Sequence, residues 1–150
     1  MDANALSPSV RRLIGGLRLY SDGRSYAVVS LPRDQMRAAT ILFGGLAEPF
    51  AAMIVDKDEI SIVMHEMDWS IGGRGLPQAR AEPGFRLITF DVVLDLDAVG
   101  FMAAVSRALA EAGIALAPIA AYSRDHLLVR EKDFERAWQT LSELIAACRA

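Results

Sequence analysis

The stretch that most limits what this chain can fold into runs over residues 84–130. Phe85-Arg86-Leu87-Ile88-Thr89-Phe90-Asp91-Val92-Val93 alternates and is rich in β-branched and aromatic side chains, which predicts a strand. After the turn Leu94-Asp95-Leu96-Asp97-Ala98-Val99-Gly100, the residues Phe101, Ala104, Val105, Ala108, Leu109 and Ala112 recur at helical spacing and predict an amphipathic helix. Gly113 stands just past the last apolar position, where helices commonly stop. A second apolar run over residues 114–122, the polar turn Ser123-Arg124-Asp125 and the run His126-Leu127-Leu128-Val129-Arg130 follow. The order is strand, helix, strand, tight turn, strand.

The first half of the chain repeats that succession. Ser7-Pro8-Ser9 can start a short helix carrying Val10, Leu13 and Ile14 on one side, ended by Gly15-Gly16. Residues 17–20 and 26–31 read as two strands joined through Ser21-Asp22-Gly23-Arg24, because Asp-Gly is a hairpin signal. Residues 33–43 place Met36, Ala39, Thr40 and Phe43 on one side of a helix. Residues 50–55 and 60–65 flank the polar Asp56-Lys57-Asp58-Glu59 and predict a second hairpin. Residues 66–83 carry Gly72, Gly73, Gly75, Pro77 and Pro83 without a sustained period, so they read as a connector with room for one short helical turn. At the far end, Phe134, Ala137, Trp138, Leu141, Leu144 and Ile145 form one stripe of a final helix over residues 133–145.

These patterns predict an α+β protein of two degenerate halves, residues 1–65 and 84–150, joined by the connector 66–83. A length of 150 residues suits one compact domain or two very small ones, and 53% hydrophobic residues supply a core. A right-handed crossover makes the first two strands of each half parallel, and the third returns antiparallel. That is the split β-α-β plan of a ferredoxin-like sandwich, with helices on one sheet face and the other left to water or a partner. Such an uncovered face favours pairing, so a homodimer is expected.

Composition removes several functions. A net charge of -3 gives no basic field of the kind that collects nucleic acid. No apolar run approaches the ~20 residues that span a bilayer, and Met1-Asp2-Ala3-Asn4 lacks a basic leader region. The single cysteine, Cys148, fits a reducing compartment, so a cytoplasmic location is expected, with neither membrane nor nucleic acid as partner.

Several spaced motifs together resemble a known family: Asp97-Ala98-Val99-Gly100, Leu109-Ala110-Glu111-Ala112-Gly113-Ile114, Tyr122-Ser123-Arg124-Asp125-His126-Leu127-Leu128-Val129 and Ala137-Trp138-Gln139-Thr140-Leu141. They resemble an ACT domain, and more narrowly the small ACT-type proteins related to the arginine-sensing CASTOR proteins, whose N-terminal half carries a hairpin similar to residues 55–63. The resemblance covers roughly residues 26–144. It implies a regulatory domain that binds amino acids or similar small molecules at the interface of paired domains. A complete ACT unit is β-α-β-β-α-β, yet no strand follows the last helix here. A strand from the other half, residues 17–20 or 26–31, is therefore expected to fill the vacant place by exchange.

The chemistry best suited to such a ligand sits at the start of the Phe101 helix. A helix N-terminus offers backbone N–H groups and partial positive charge to a carboxylate, here from Val99, Gly100 and Phe101. Asp95, Asp97 or Asp125 can accept from the ligand's ammonium, and the resemblance points to the same turn and to Tyr122, Ser123 and Asp125. Asp95 or Asp97 reads equally as an N-cap, Gly100 as relief of helix–strand crowding, and Asp125 as an ordinary turn aspartate.

Other candidates are weaker. Asp56, Asp58 and Glu59 lack the spaced ligands and glycine of a calcium loop. His65 and His126 have no partner at metal-ligand spacing, and Gly72-Gly73-Arg74-Gly75 lacks the ending of a phosphate loop. Cys148 has no nucleophile signature, and Trp69 and Trp138 read as packing residues. No cofactor or metal is expected. The functional reading is a regulatory module sensing an amino acid, with a structural or interaction protein lacking a pocket as the alternative. An enzyme has the least support, because no acid, base or nucleophile cluster stands out.

Overall fold

In the computed structural model, residues 6–47, 49–73, 75–95 and 97–150 are described, so the readings at residues 1–4, Arg74 and Leu96 fall outside it. The fold is α+β and ferredoxin-like, and its residues cluster into two compact units: residues 24–85, and residues 1–23 with 86–150.

The unit of residues 24–85 runs β2 (Ser25–Pro32), α2 (Met36–Gly44) after a short 3-10 turn, β3 (Ala52–Val55), β4 (Glu59–His65) and α3 (Glu66–Gly72), then the opening residues of β5 (Arg80–Phe90). The strand order is β3-β4-β2-β5. β3 and β4 form the hairpin that the polar tip predicts, pairing Ala52 with Val63 and Val55 with Ile60. Asp56 closes the tip by accepting the N–H groups of Asp58 and Glu59 at 2.7 and 3.1 Å. Both bonds to the carboxylate hold the Asp56 acid below its ordinary value. Ala27, Val29, Leu31, Ile60, Ile62 and Met64 alternate toward one core, sealed by Ala39 of α2. Residues 66–83 hold α3 and the start of β5. The room left there for one short helical turn is taken by α3, none of whose side chains is fully buried although Trp69 packs on the core.

The other unit contains α1 (Pro8–Gly15), β1 (Leu19–Tyr20), residues 86–90 of β5, α4 (Phe101–Glu111), β6 (Leu116–Ala120), β7 (Asp125–Arg130) and α5 (Phe134–Arg149). Its strands are ordered β1-β5-β7-β6. The expected hairpin of β1 with β2 does not form: β1 pairs antiparallel with β5, Leu19 opposite Phe90 and Tyr20 opposite Thr89. Burial decides this partner. Leu17 is fully buried and Leu19 partly so in the core built by α4 and α5, and Asp91 N–H donates to Arg18 O at 2.8 Å to extend the ladder.

Helix α4 buries Phe101, Ala104, Val105, Ala108 and Leu109, the stripe its spacing predicts. Gly113, at φ +69°, ends it: Gly113 N–H donates to Ala110 O and Ile114 N–H to Leu109 O, both at 2.9 Å, a Schellman motif. Helix α5 buries Phe134, Ala137, Leu141, Leu144 and Ile145 and runs on to Arg149, past the predicted end. Arg149 then donates to the carbonyls of Gly15 and Leu17, at 2.7 and 3.1 Å, tying the C-terminal helix to the end of α1. Cys148 is a buried core residue whose thiol burial pushes up, as an inert thiol requires.

Of the two fates expected for the second sheet face, water or a partner, water does not hold along β5 and β7. Along β5 and β7 the burial is continuous, because Leu87, Thr89, His126 and Leu128 on the second face are buried as fully as Ile88, Phe90, Leu127 and Val129. Leu87 and Leu128 are too apolar for a wet face. Replacing Leu109, which has no exposed surface, by Ala should cost about 2–5 kcal/mol. Urea unfolding followed by circular dichroism measures it, and a loss under 1 kcal/mol would show that α4 does not carry this core.

Candidate functional site

The loop between β5 and α4 is held against the β6–β7 turn by one backbone bond, Leu94 N–H to Ser123 O at 2.9 Å. Within that loop the Asp95 carbonyl accepts from Ala98 N–H at 3.0 Å, and its carboxylate accepts from Asp97 N–H at 3.2 Å. Asp95 therefore shapes its own turn, as aspartates in such positions do. The β6–β7 turn is closed by Ala121 N–H to Arg124 O at 2.9 Å, and the Arg124 Nε donates to Asp91 Oδ1 at 3.2 Å.

Gly100 is the residue preceding α4, at φ +93°, and no side chain caps the helix start. A Cβ on Gly100 would lie 3.3 Å from Val10 Cγ2, so the close neighbour there is a side chain of α1. The first residue of the helix, Phe101, is anchored edge-to-face on Phe90 with ring centroids 5.2 Å apart. The helix start is thus fixed to the sheet by an aromatic pair.

These constraints leave a cleft of about 170 Å³ between the start of α4 and the β6–β7 turn. Of the residues predicted for a site, it gathers Asp95, Phe101, Tyr122 and Asp125. Asp97, Val99, Gly100 and Ser123 do not line it. Val99 is 88% exposed, and Tyr122 stands at the rim with 86% exposure. The sequence did not single out Leu94, Ala98, Met102, Ala120 and Ala121, which complete the walls. Small apolar residues on a strand and a helix carry no chemical signature of a site. Partial burial raises the Asp125 carboxyl above its ordinary value, because the anion loses hydration there.

Two buried histidines behave differently from one another. His126 Nδ1 and Thr89 Oγ1 share a hydrogen bond of 2.9 Å inside the unit that holds α4. His65, at the end of β4, lies against the Tyr26 ring with centroids 4.5 Å apart, and its Nδ1 is 3.3 Å from Arg24 Nη1. A guanidinium only donates, so in this contact His65 Nδ1 is on the accepting side. Arg24, Ser25, His65, Glu66, Met67, Asp68 and Ser70 line a second and wider cavity of about 710 Å³ within residues 24–85. Sequence spacing missed this group, because residues 24–25 and 65–70 are far apart in the chain and are brought together where Tyr26 of β2 pairs with His65 of β4. Among the described residues no group of three or more His, Cys, Asp or Glu side chains could hold a metal ion. No described helix is long and apolar enough to cross a membrane.

Residues 80–143 match the ACT domain family. No curated protein matches the chain in sequence. Among solved structures, one similar protein is from Vibrio cholerae, of unknown function and described as a possible transport protein. It is 25% identical, with 91% of this chain and 96% of that one covered at a TM-score of 0.68. A second, from Agobacterium tumefaciens, is also 25% identical, covering 86% and 89% at 0.62. The ligand-free regulatory subunit of aspartate kinase from Thermus thermophilus is 14% identical, covering 85% and 97% at 0.61, and shows a shared fold.

Burial moves the His126 ring below its ordinary value of 6.5, and the positive charge of Arg124 acts the same way. As pH falls, the unfolded chain takes up this proton before the native chain does, so native stability is complete above 6.5 and declines as pH falls below it. NMR titration should find the native ring below 6.5, and a value at or above 6.5 would contradict the burial argument. At Gly100, Ala should cost about 1–2 kcal/mol through the left-handed backbone, read as a lower unfolding midpoint.

Proposed function

We propose that this chain is a regulatory ligand-binding protein of the ACT type that senses an amino acid or a closely related metabolite. The observation that carries the reading is the pairing, across one small cleft, of a helix start capped by no side chain with the partly buried carboxylate of Asp125. Backbone N–H groups at the helix start suit an α-carboxylate, and Asp125 suits the ammonium. Asp95 lies in the same cleft but already accepts a backbone hydrogen bond, so Asp125 is the stronger acceptor. Asp97, Val99, Gly100 and Ser123 act on the ligand through the loop and turn backbone that shapes the rim. The match of residues 80–143 to the ACT domain and the likeness to a regulatory subunit of aspartate kinase support a sensing role over a catalytic one.

The cleft is smaller than the ~300–1,000 Å³ common for ligand pockets. We read it as half of a site that a second copy completes, in a homodimer whose contact covers Val99 and Tyr122. The narrower likeness to the arginine-sensing CASTOR proteins belongs to this reading. So does the tandem plan, with an N-terminal half at residues 1–65, a connector at 66–83 and a C-terminal half at 84–150. In that plan the β1 pairing with β5 is the exchanged strand. A cytoplasmic setting follows from the same reading. The alternative, a structural or interaction protein of this fold without a ligand, is favoured by the small volume and by Val10 packed beside Gly100.

Thermal unfolding with a panel of amino acids separates the two, because a specific ligand at 100 times its Kd adds about 2.7 kcal/mol. One amino acid should raise the midpoint, and Asp125→Asn should weaken that effect at least tenfold. Affinity should fall as acid protonates Asp125, since an ammonium binds the anion. If no amino acid moves the midpoint of the folded protein, the sensing reading is lost. Sedimentation at micromolar concentration should give twice the monomer mass, and a monomer would remove the dimeric site.

A further inference from the structure

We infer that the cleft between the start of α4 and the β6–β7 turn selects a small neutral aliphatic amino acid, of the size of alanine or valine. This rests on the sensing reading above and narrows it. The side chains of Leu94, Ala98, Phe101, Met102, Ala120 and Ala121, six of the nine lining residues, are apolar. The N–H groups of Ala98 and Ala121 are engaged within their own turns, on Asp95 O and Arg124 O. A ligand hydroxyl or amide buried against such walls loses its hydration without a hydrogen bond in return, whereas an aliphatic group gains by leaving water. The volume of about 170 Å³ leaves no room for a long side chain beside the ammonium and carboxylate.

Charge argues against the other side chains. Among the described residues that line the cleft, only Asp95 and Asp125 are charged. An acidic side chain would set a further carboxylate against these two, with no lining cation to offset the repulsion. Arg124 belongs to the adjoining turn, but its Nε donates to Asp91 Oδ1 at 3.2 Å. A guanidinium side chain needs a carboxylate besides the one that takes the ammonium, and Asp95 is engaged with Asp97 N–H at 3.2 Å. A two-fold partner repeats the same patch, so completing the site adds the uncharged Val99 and Tyr122 again. Ala120 sets the size limit. It is exposed at the end of β6 and stands opposite Asp125 in the ladder, so its methyl group and that carboxylate are neighbours on one sheet face.

The test titrates the full chain, labelled with ¹⁵N, with L-alanine, L-valine, L-glutamate and L-arginine at constant pH and ionic strength. Alanine or valine should give saturable amide shifts at residues 98–102 and 120–125, at least tenfold tighter than glutamate or arginine. Ala120→Val adds two methyl groups beside Asp125 and should weaken valine at least tenfold, and alanine by less. If that variant does not fold, the ranking of the four ligands on the native chain decides. The inference alone is overturned when glutamate or arginine saturates these amides as tightly as valine, or when Ala120→Val leaves valine affinity unchanged. In either case the cleft still takes an amino acid. Saturation by none of the four, or shifts confined to other residues, also overturns it, and the full amino-acid panel then decides the sensing reading.

Discussion

Every backbone N–H and C=O of a buried strand needs a partner, and the long strand β5 meets this demand with segments from distant parts of the chain. Its residues 80–85 fall in the unit of residues 24–85, and its last five in the other unit. At Thr89 and Phe90 the partner is the two-residue strand β1. So short a strand contributes few hydrogen bonds, but it delivers Leu17 and Leu19 to the core that α4 and α5 line. Once β1 is seated, α1 lies against α5, and Arg149 closes the contact on the carbonyls of Gly15 and Leu17. The position of α1 then brings Val10 beside Gly100, the residue before α4. The pairing of β1 thus reaches the start of α4 through packed elements.

What could be read from the sequence follows how each element earns its stability. Helices α4 and α5 carry wide apolar stripes, and their buried residues are those that spacing picks out, with Cys148 added where α5 runs longer. The β3–β4 hairpin was legible because its polar tip and flanking strands are local. The partner of β1 was not. Asp22-Gly23 does turn the chain, with Gly23 at φ +75°, yet a turn signal says nothing about which sheet the preceding residues join. At α3 only room for one short turn was legible, because glycines crowd the segment and none of its side chains is fully buried.

The site was half legible for the same reason. Asp95, Phe101, Tyr122 and Asp125 carry chemistry or turn character, and all four come to one cleft. Val99, whose N–H was the attraction, turns its side chain to solvent, as a turn residue before a helix can. The Arg24–Asp68 cavity depends on strand register across some forty residues, information that no local motif holds. The family match covers residues 80–143, the half whose motifs were densest, and leaves the residues of that cavity outside it.

The pairing of Leu19 with Phe90 also orders events in time. As the chain leaves a ribosome, β1 must wait for about 70 further residues before its partner emerges, roughly 4 to 14 s at ~5–20 residues per second. Helix α1 waits longer still, for α5. During synthesis Val10, Ile14 and Leu17 therefore emerge well before the helices they pack against, while residues 24–85 already hold most of their own unit. The nascent chain should assemble from its middle outward, its beginning docking last.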